Sequence, residues 1–124
     1  MWWHRKETWE TICKWHKKTF PDATLVGQIE KFDEERCEFM NEANADKKIL
    51  ELADMYIVAC GVERFDVNKA NALKDEIVSH LCGFLPDMPL MQRHEMLWVA
   101  IREKMRVNRR RKWRKLNGLY KHKA

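Results

Sequence analysis

Four carboxylates at matched helical spacings are the feature of this chain that could do chemistry. Glu35 and Glu38 stand three residues apart, and so do Glu51 and Asp54. At 3.6 residues per turn each pair shares one helix face. Two helices folded back on each other by a short link near Asn44 to Asp46 would let the pairs converge. Four carboxylates make a hard, oxygen-rich site that suits Mg²⁺ or Mn²⁺. The second pair is the more telling. Residues 49–62 read ILELADMYIVACGV, with Glu51 and Asp54 the only charges. A helix apolar on nearly all sides is a buried helix, and a buried carboxylate calls for pairing, hydrogen bonds or a metal. Solvated faces or surface ion pairs are the competing reading, which weighs more on Glu34 and Glu42 than on Glu51 and Asp54.

The elements that must position these groups read as helices. Pro21 and the Gly83 to Pro89 stretch are the clear breaks, strand signals are poor, and Glu, Lys, Leu, Met and Ala dominate. Helices are expected near 4–18, 24–43, 46–63, 68–81 and 88–112, with Thr24, Asn68 and Asp87 as caps. The fold class is therefore all-α, a four- to five-helix bundle over residues 1–112 with a basic C-terminal tail at 113–124. On the second helix Leu25, Ile29, Phe32, Phe39 and Met40 should face the core, with Arg36 interrupting. Gln28, Lys31, Glu35, Glu38 and Glu42 form the adjoining stripe, within about 80° of arc. Glu34 falls outside it, about 180° from Leu25.

On the last helix Lys104, Asn108 and Arg111 continue a stripe begun by Leu97, Ala100 and Ile101. That stripe leaves the core and ends in cationic and amide donors suited to phosphate oxygens, whereas Arg109, Arg110, Lys112, Arg114 and Lys115 read as a solvated charged face. Lys31 is either a phosphate contact or an ion-pair partner of the acids beside it. Trp15 and Phe20 are either an aromatic wall for a base or core residues. Trp2, Trp3 and Trp9 could pack on a neighbouring subunit. His16, His80, His94 and His122 have no ligand-like spacing, and no Ser-His-Asp, Cys-His or Gly-rich phosphate-loop signal is present.

Composition narrows the class. The 124 residues are 45% hydrophobic and 35% charged, which fits one folded domain and not a disordered or collagen-like chain. The net charge of +5 is uneven: residues 102–124 carry eleven Lys or Arg and one Glu. The rest of the chain is acidic by five charges. Cys13, Cys37, Cys60 and Cys82 form no CxxC pair, so a zinc site is not expected. They read as reduced, mostly buried thiols of a cytoplasmic protein. The N-terminus lacks the apolar core of a signal peptide, and Met55 to Val62 is too short to span a bilayer.

The acids and their flanks together resemble a known family. Glu34-Glu35-Arg36-Cys37-Glu38, twelve residues, then Glu51-Leu52-Ala53-Asp54 looks like the EExxE…ExxD signature of MazG-like, all-α nucleoside triphosphate pyrophosphohydrolases. WHKKTFPDATLVGQ (15–28) followed by Lys31, and KMRVNRRRKW (104–113) followed by Asn117-Gly118 and Tyr120-Lys121-His122, resemble the flanks of phage and bacterial members described as dATP/dGTP diphosphohydrolases. The resemblance covers most of the chain. It implies metal binding by Glu35, Glu38, Glu51 and Asp54; beyond that resemblance, Glu38, with Glu35 beside it, is the candidate catalytic residue that helps orient the water. Phosphate contacts are implied for Lys104 and Asn108, and Arg111 and Trp113 match the family's usual Arg and Trp. The implied reaction is Mg²⁺-dependent hydrolysis of a dNTP to dNMP and pyrophosphate by water attack on the α-phosphorus. A homo-oligomer, dimer or tetramer, and action in the cytoplasm, a bacterial host's if phage-encoded, are implied as well.

Rival readings exist. A nucleic-acid-binding module would use the cations of 102–123 and leave Glu51 and Asp54 unexplained. A di-iron bundle would want Glu-x-x-His pairs, which the chain lacks. A helical scaffold that binds a partner protein would draw on the N-terminal tryptophans.

Overall fold

The computed structural model describes residues 6–85, 87–111, 113–116 and 119–122, so Trp2 and Trp3 lie outside the described residues. Each of the first four helices opens on a side-chain cap. Thr8 forms a reciprocal capping box with Thr11 at α1 (Trp9–Thr19). Thr24, Asn44 and Asp66 accept from the backbone N–H of Gly27, Lys47 and Lys69 at α2 (Leu25–Asn41), α3 (Ala45–Val62) and α4 (Val67–Gly83). Such a cap is typically worth about 1 kcal/mol.

Two expected caps are corrected. Asp66 takes the place of Asn68, because α4 already begins at Val67. Asp87 does not cap α5 (Leu90–Asn108): Pro89 leads into that helix with no side-chain cap. The break between α4 and α5 includes Leu85 in the left-handed region at φ 58°.

The molecule is an all-α bundle. α3 is its central rod, packed against α1, α2, α4 and α5. From Met55 to Val62 every residue of α3 is buried, as the apolar run predicts. Phe32 and Phe39 of α2, Leu73, Ile77 and Leu81 of α4, and Leu97, Ala100, Ile101 and Met105 of α5 complete the core. Each fully buried side chain of this kind contributes roughly 1.5–3 kcal/mol of transfer free energy. Arg36, which interrupts the apolar stripe of α2, is used: Nε and Nη2 both donate to the Glu76 carboxylate at 2.7 Å and tie α2 to α4.

Several expectations are revised. Met40 does not join the core but is 63% exposed. The thiols are free as expected, yet only Cys60 is buried; Cys13 is half-buried, and Cys37 and Cys82 are exposed. Trp9 is engaged within its own chain, edge-on to Tyr56 at 5.3 Å, with its indole N–H on Glu63 Oε2 at 3.0 Å. The last helix stops at Asn108, not near 112, and residues placed in a tail form a hairpin. β1 (Trp113–Leu116) pairs antiparallel with β2 (Leu119–His122), and β2 runs alongside α2. Among the described residues no helix is long and apolar enough to cross a membrane.

Candidate functional site

The link at 42–44 turns the chain so that the acidic stripe of α2 meets the acids of α3. Glu35, Glu38 and Glu51 each place a carboxylate oxygen within 4.8 Å of the others. Glu35 is buried, Glu51 half-buried and Glu38 exposed, so the cluster runs from the core out to solvent. Glu35 Oε2 and Glu51 Oε2 are both buried and have no hydrogen-bond partner. A buried polar atom left in that state typically costs about 1–3 kcal/mol.

The fourth acid, Asp54, has turned to Lys104, whose Nζ lies 3.1 Å from Oδ2. Lys31 Nζ sits 3.2 Å from Glu35 Oε1 and 3.6 Å from Glu34 Oε2. Glu34 is the exposed acid the helix geometry places outside the row.

Crowding and burial shift the protonation of these groups. Burial, then the nearby Asp54 charge, pushes the Glu35 carboxyl up to about 8, against the pull of Lys31. Burial and the hydrogen bond shared with Glu38 push Glu51 up to about 7. Burial also lifts Asp54 above the usual carboxylate range, although Lys104 opposes it. Burial and mutual repulsion disfavour the ionised form of these acids; a bound cation would favour it. The donor set of three carboxylates, with Asp54 next to them, is chemically fit for a hard divalent cation.

The acids border a cleft of about 340 Å³. Glu35 and Asp54 line one part, and Lys31, Lys104, Asn108 and Arg111 supply cations and an amide. Its far part is aromatic. Trp15, Phe20 and Trp113 meet edge-to-face, with Phe20 to Trp113 at 5.0 Å and Trp15 to Phe20 at 5.4 Å. Below them His16 is buried and its Nε2 lies 3.0 Å from Gln28 Oε1. Burial, reinforced by the Arg64 charge, pulls His16 down to about 4, so the ring is neutral. Gly61 of α3 makes room for it, because a Cβ there would collide with the imidazole. One cleft therefore offers acids for a cation, donors for phosphate and flat apolar walls for an aromatic ligand.

All nine candidate residues gather in this region. Trp15, Lys31, Glu35, Asp54, Lys104, Asn108 and Arg111 line the cleft, and Glu38 and Glu51 converge on Glu35. Arg111 arrives by a different route from the expected one: it follows the end of α5 in the turn before the hairpin. Gln28, read only as a member of the acidic stripe, is buried in the floor. His16 also lines the cleft, although it has no ligand-like spacing in the sequence. Its signal is its place four residues after Ile12 on the inward face of α1. Arg109 is the clearest reversal. It reads as a solvated charge, yet its guanidinium forks onto Glu7 at 2.8 and 2.9 Å. Comparison with protein-family models, with curated proteins and with solved structures finds no match for this chain.

Proposed function

We propose that this protein is a Mg²⁺-dependent nucleoside triphosphate pyrophosphohydrolase of the MazG-like, all-α kind, with Mn²⁺ able to substitute, converting a dNTP to dNMP and pyrophosphate. One observation carries the reading. Two buried carboxylate oxygens, Glu35 Oε2 and Glu51 Oε2, stand without hydrogen-bond partners beside a cleft that also presents Lys31, Lys104, Asn108 and Arg111. Acids and cations facing one cavity suit a metal–triphosphate better than they suit either charge alone.

On this reading Glu35, Glu38, Glu51 and Asp54 hold the metal, and Asp54 gives up Lys104 to do so. Bound Mg²⁺ supplies charge neutralisation at the phosphates and lowers the pKa of water. Lys31, Lys104, Asn108 and Arg111 donate to phosphate oxygens. Trp15, with Phe20 and Trp113, gives the base an apolar wall. Glu38, at the solvent end of the cluster, orients the attacking water and accepts its proton, with Glu35 as the second acceptor. The water oxygen bonds to the α-phosphorus, the α–β bridge breaks, and pyrophosphate leaves.

The proposal extends to a homo-oligomer, dimer or tetramer, acting in the cytoplasm. Val26 and Met40, 68% and 63% exposed on α2, offer apolar surface for a second subunit, and light scattering reads the assembly. The nucleic-acid alternative loses some of its cations to neighbours: Arg102, Arg106 and Arg109 engage Glu95, Glu103 and Glu7. The deciding experiment incubates the protein with each dNTP and NTP, with and without Mg²⁺, and assays pyrophosphate. Metal-dependent release that disappears in Glu51→Gln is expected. No release from any nucleotide rules the enzyme out, and salt-sensitive, Mg²⁺-independent DNA binding would favour the alternative.

A further inference from the structure

The end of α5 has to deliver four groups to one cleft. Lys104 and Asn108 come from the helix, and Arg111 and Trp113 from the chain that turns away after it. Local bonds shape that turn. The amides of Arg110 and Arg111 reach Val107 O and Asn108 O at 3.0 and 3.2 Å, and the Trp113 indole N–H reaches Asn108 O at 3.3 Å. All three bonds run back to the last two residues of α5, so they hold the turn to the end of its own helix and not to α1.

Arg109 provides a long-range tie. Its Nε and Nη2 donate to Glu7 Oε2 and Oε1 at 2.9 and 2.8 Å, across 102 positions of sequence. The pair is largely withdrawn from water, with side-chain exposures of 19% for Arg109 and 3% for Glu7. The Thr11 hydroxyl also donates to Glu7 Oε1 at 2.8 Å and fixes it to α1. α1 carries Trp15 and His16 and leads directly into Phe20. The fork therefore joins the helix behind one wall of the cleft to the turn that forms the other. A bidentate guanidinium–carboxylate contact sets orientation as well as distance, which a lysine does not reproduce.

We infer that Glu7 and Arg109 are a positioning pair, which lies outside the cleft lining but holds Arg111 and Trp113 against α1 and so sets nucleotide affinity. The inference rests on the triphosphate reading above. The test compares Arg109→Gln, Arg109→Lys and the reversed pair Glu7→Arg with Arg109→Glu. In Arg109→Gln the KM for the preferred dNTP should rise roughly tenfold, with kcat changed less than about twofold. Arg109→Lys should fall between the two, and the reversed pair should recover most of the loss. Without nucleotide, the Trp113 indole N–H resonance, assigned by its absence in Trp113→Phe, should shift and exchange faster in Arg109→Gln. An unchanged KM with kcat falling alongside Tm would mean a merely structural bridge and overturn the inference. If the wild type hydrolyses no triphosphate, the proposed function fails by itself. The indole resonance then decides the pair, and an unmoved resonance overturns it.

Discussion

Glu35→Gln should stabilise the metal-free protein and at the same time abolish its response to Mg²⁺. In the folded chain the Glu35 carboxyl titrates near 8 against a usual 4.5, chiefly because it is buried. Such a group takes up a proton on folding. Its contribution is fully present below the unfolded pKa and is lost as pH rises through the folded one. At pH 7 the shift corresponds to about 3 kcal/mol of lost stability by the linkage relation. Solvent reaching the cleft screens part of this, leaving about 2 kcal/mol. Removing the carboxylate also forfeits the Lys31 contact, which is partly exposed and worth at most about 1 kcal/mol.

The net expectation for Glu35→Gln in EDTA at pH 7 is a gain of roughly 1–2 kcal/mol, or about 4–8 °C in Tm for a domain of this size. The wild type at 100 times its metal Kd should gain about 2.7 kcal/mol from Mg²⁺, and the variant little or nothing. Thermal or urea unfolding at pH 5, 7 and 8.5, with EDTA or MgCl₂, reads both effects. The gain should shrink toward pH 5. A metal-free loss of stability in the variant, or a retained Mg²⁺ response, refutes the argument that Glu35 is a buried acid waiting for a cation.

Three further outcomes are expected. His16, held near 4 against a usual 6.5 by burial first and Arg64 second, should make the fold lose up to about 3 kcal/mol as pH falls from 6.5 to 4. His16→Asn should flatten that slope in urea unfolding measured across the range. Gly61→Ala should destabilise by about 1–3 kcal/mol through collision with the His16 ring, despite alanine's better helix propensity. A His16→Ala background should remove most of that penalty in the same assay. Asn108→Ala should depress dNTP turnover at least tenfold while leaving the circular dichroism melt within about 1 °C; a collapse of the melt instead makes Asn108 structural.

The parts of the molecule legible in advance are those that depend on period and burial. The run from Ile49 to Val62 carries only Glu51 and Asp54 as charges, so it reads as a buried helix, and α3 is the central rod of the bundle. The three- and four-residue spacings of Lys31, Glu35 and Glu38 marked the stripe of α2 that meets Glu51 of α3, and Thr24 announced its helix by cap chemistry. The parts that escaped depend on contacts far apart in sequence. Nothing near Arg109 says that Glu7 will pair with it, so the segment reads as solvated charge and the last helix reads too long. Its Lys- and Arg-rich composition hides the β1–β2 hairpin, which is set by its pairing and by where Trp113 docks. His16 was missed because its partner Gln28 and its space at Gly61 come from two other helices. Met40 was misplaced by one helical step: it follows Phe39 and sits just past the edge of the buried face.

The chemistry proposed for the cleft requires water to attack the α-phosphorus. Hydrolysis of a dNTP in H₂¹⁸O with Mg²⁺, followed by mass analysis of the products, should place the heavy oxygen in the dNMP and none in pyrophosphate. Label in pyrophosphate, release of orthophosphate instead, or no labelled product with any nucleotide would contradict the central claim.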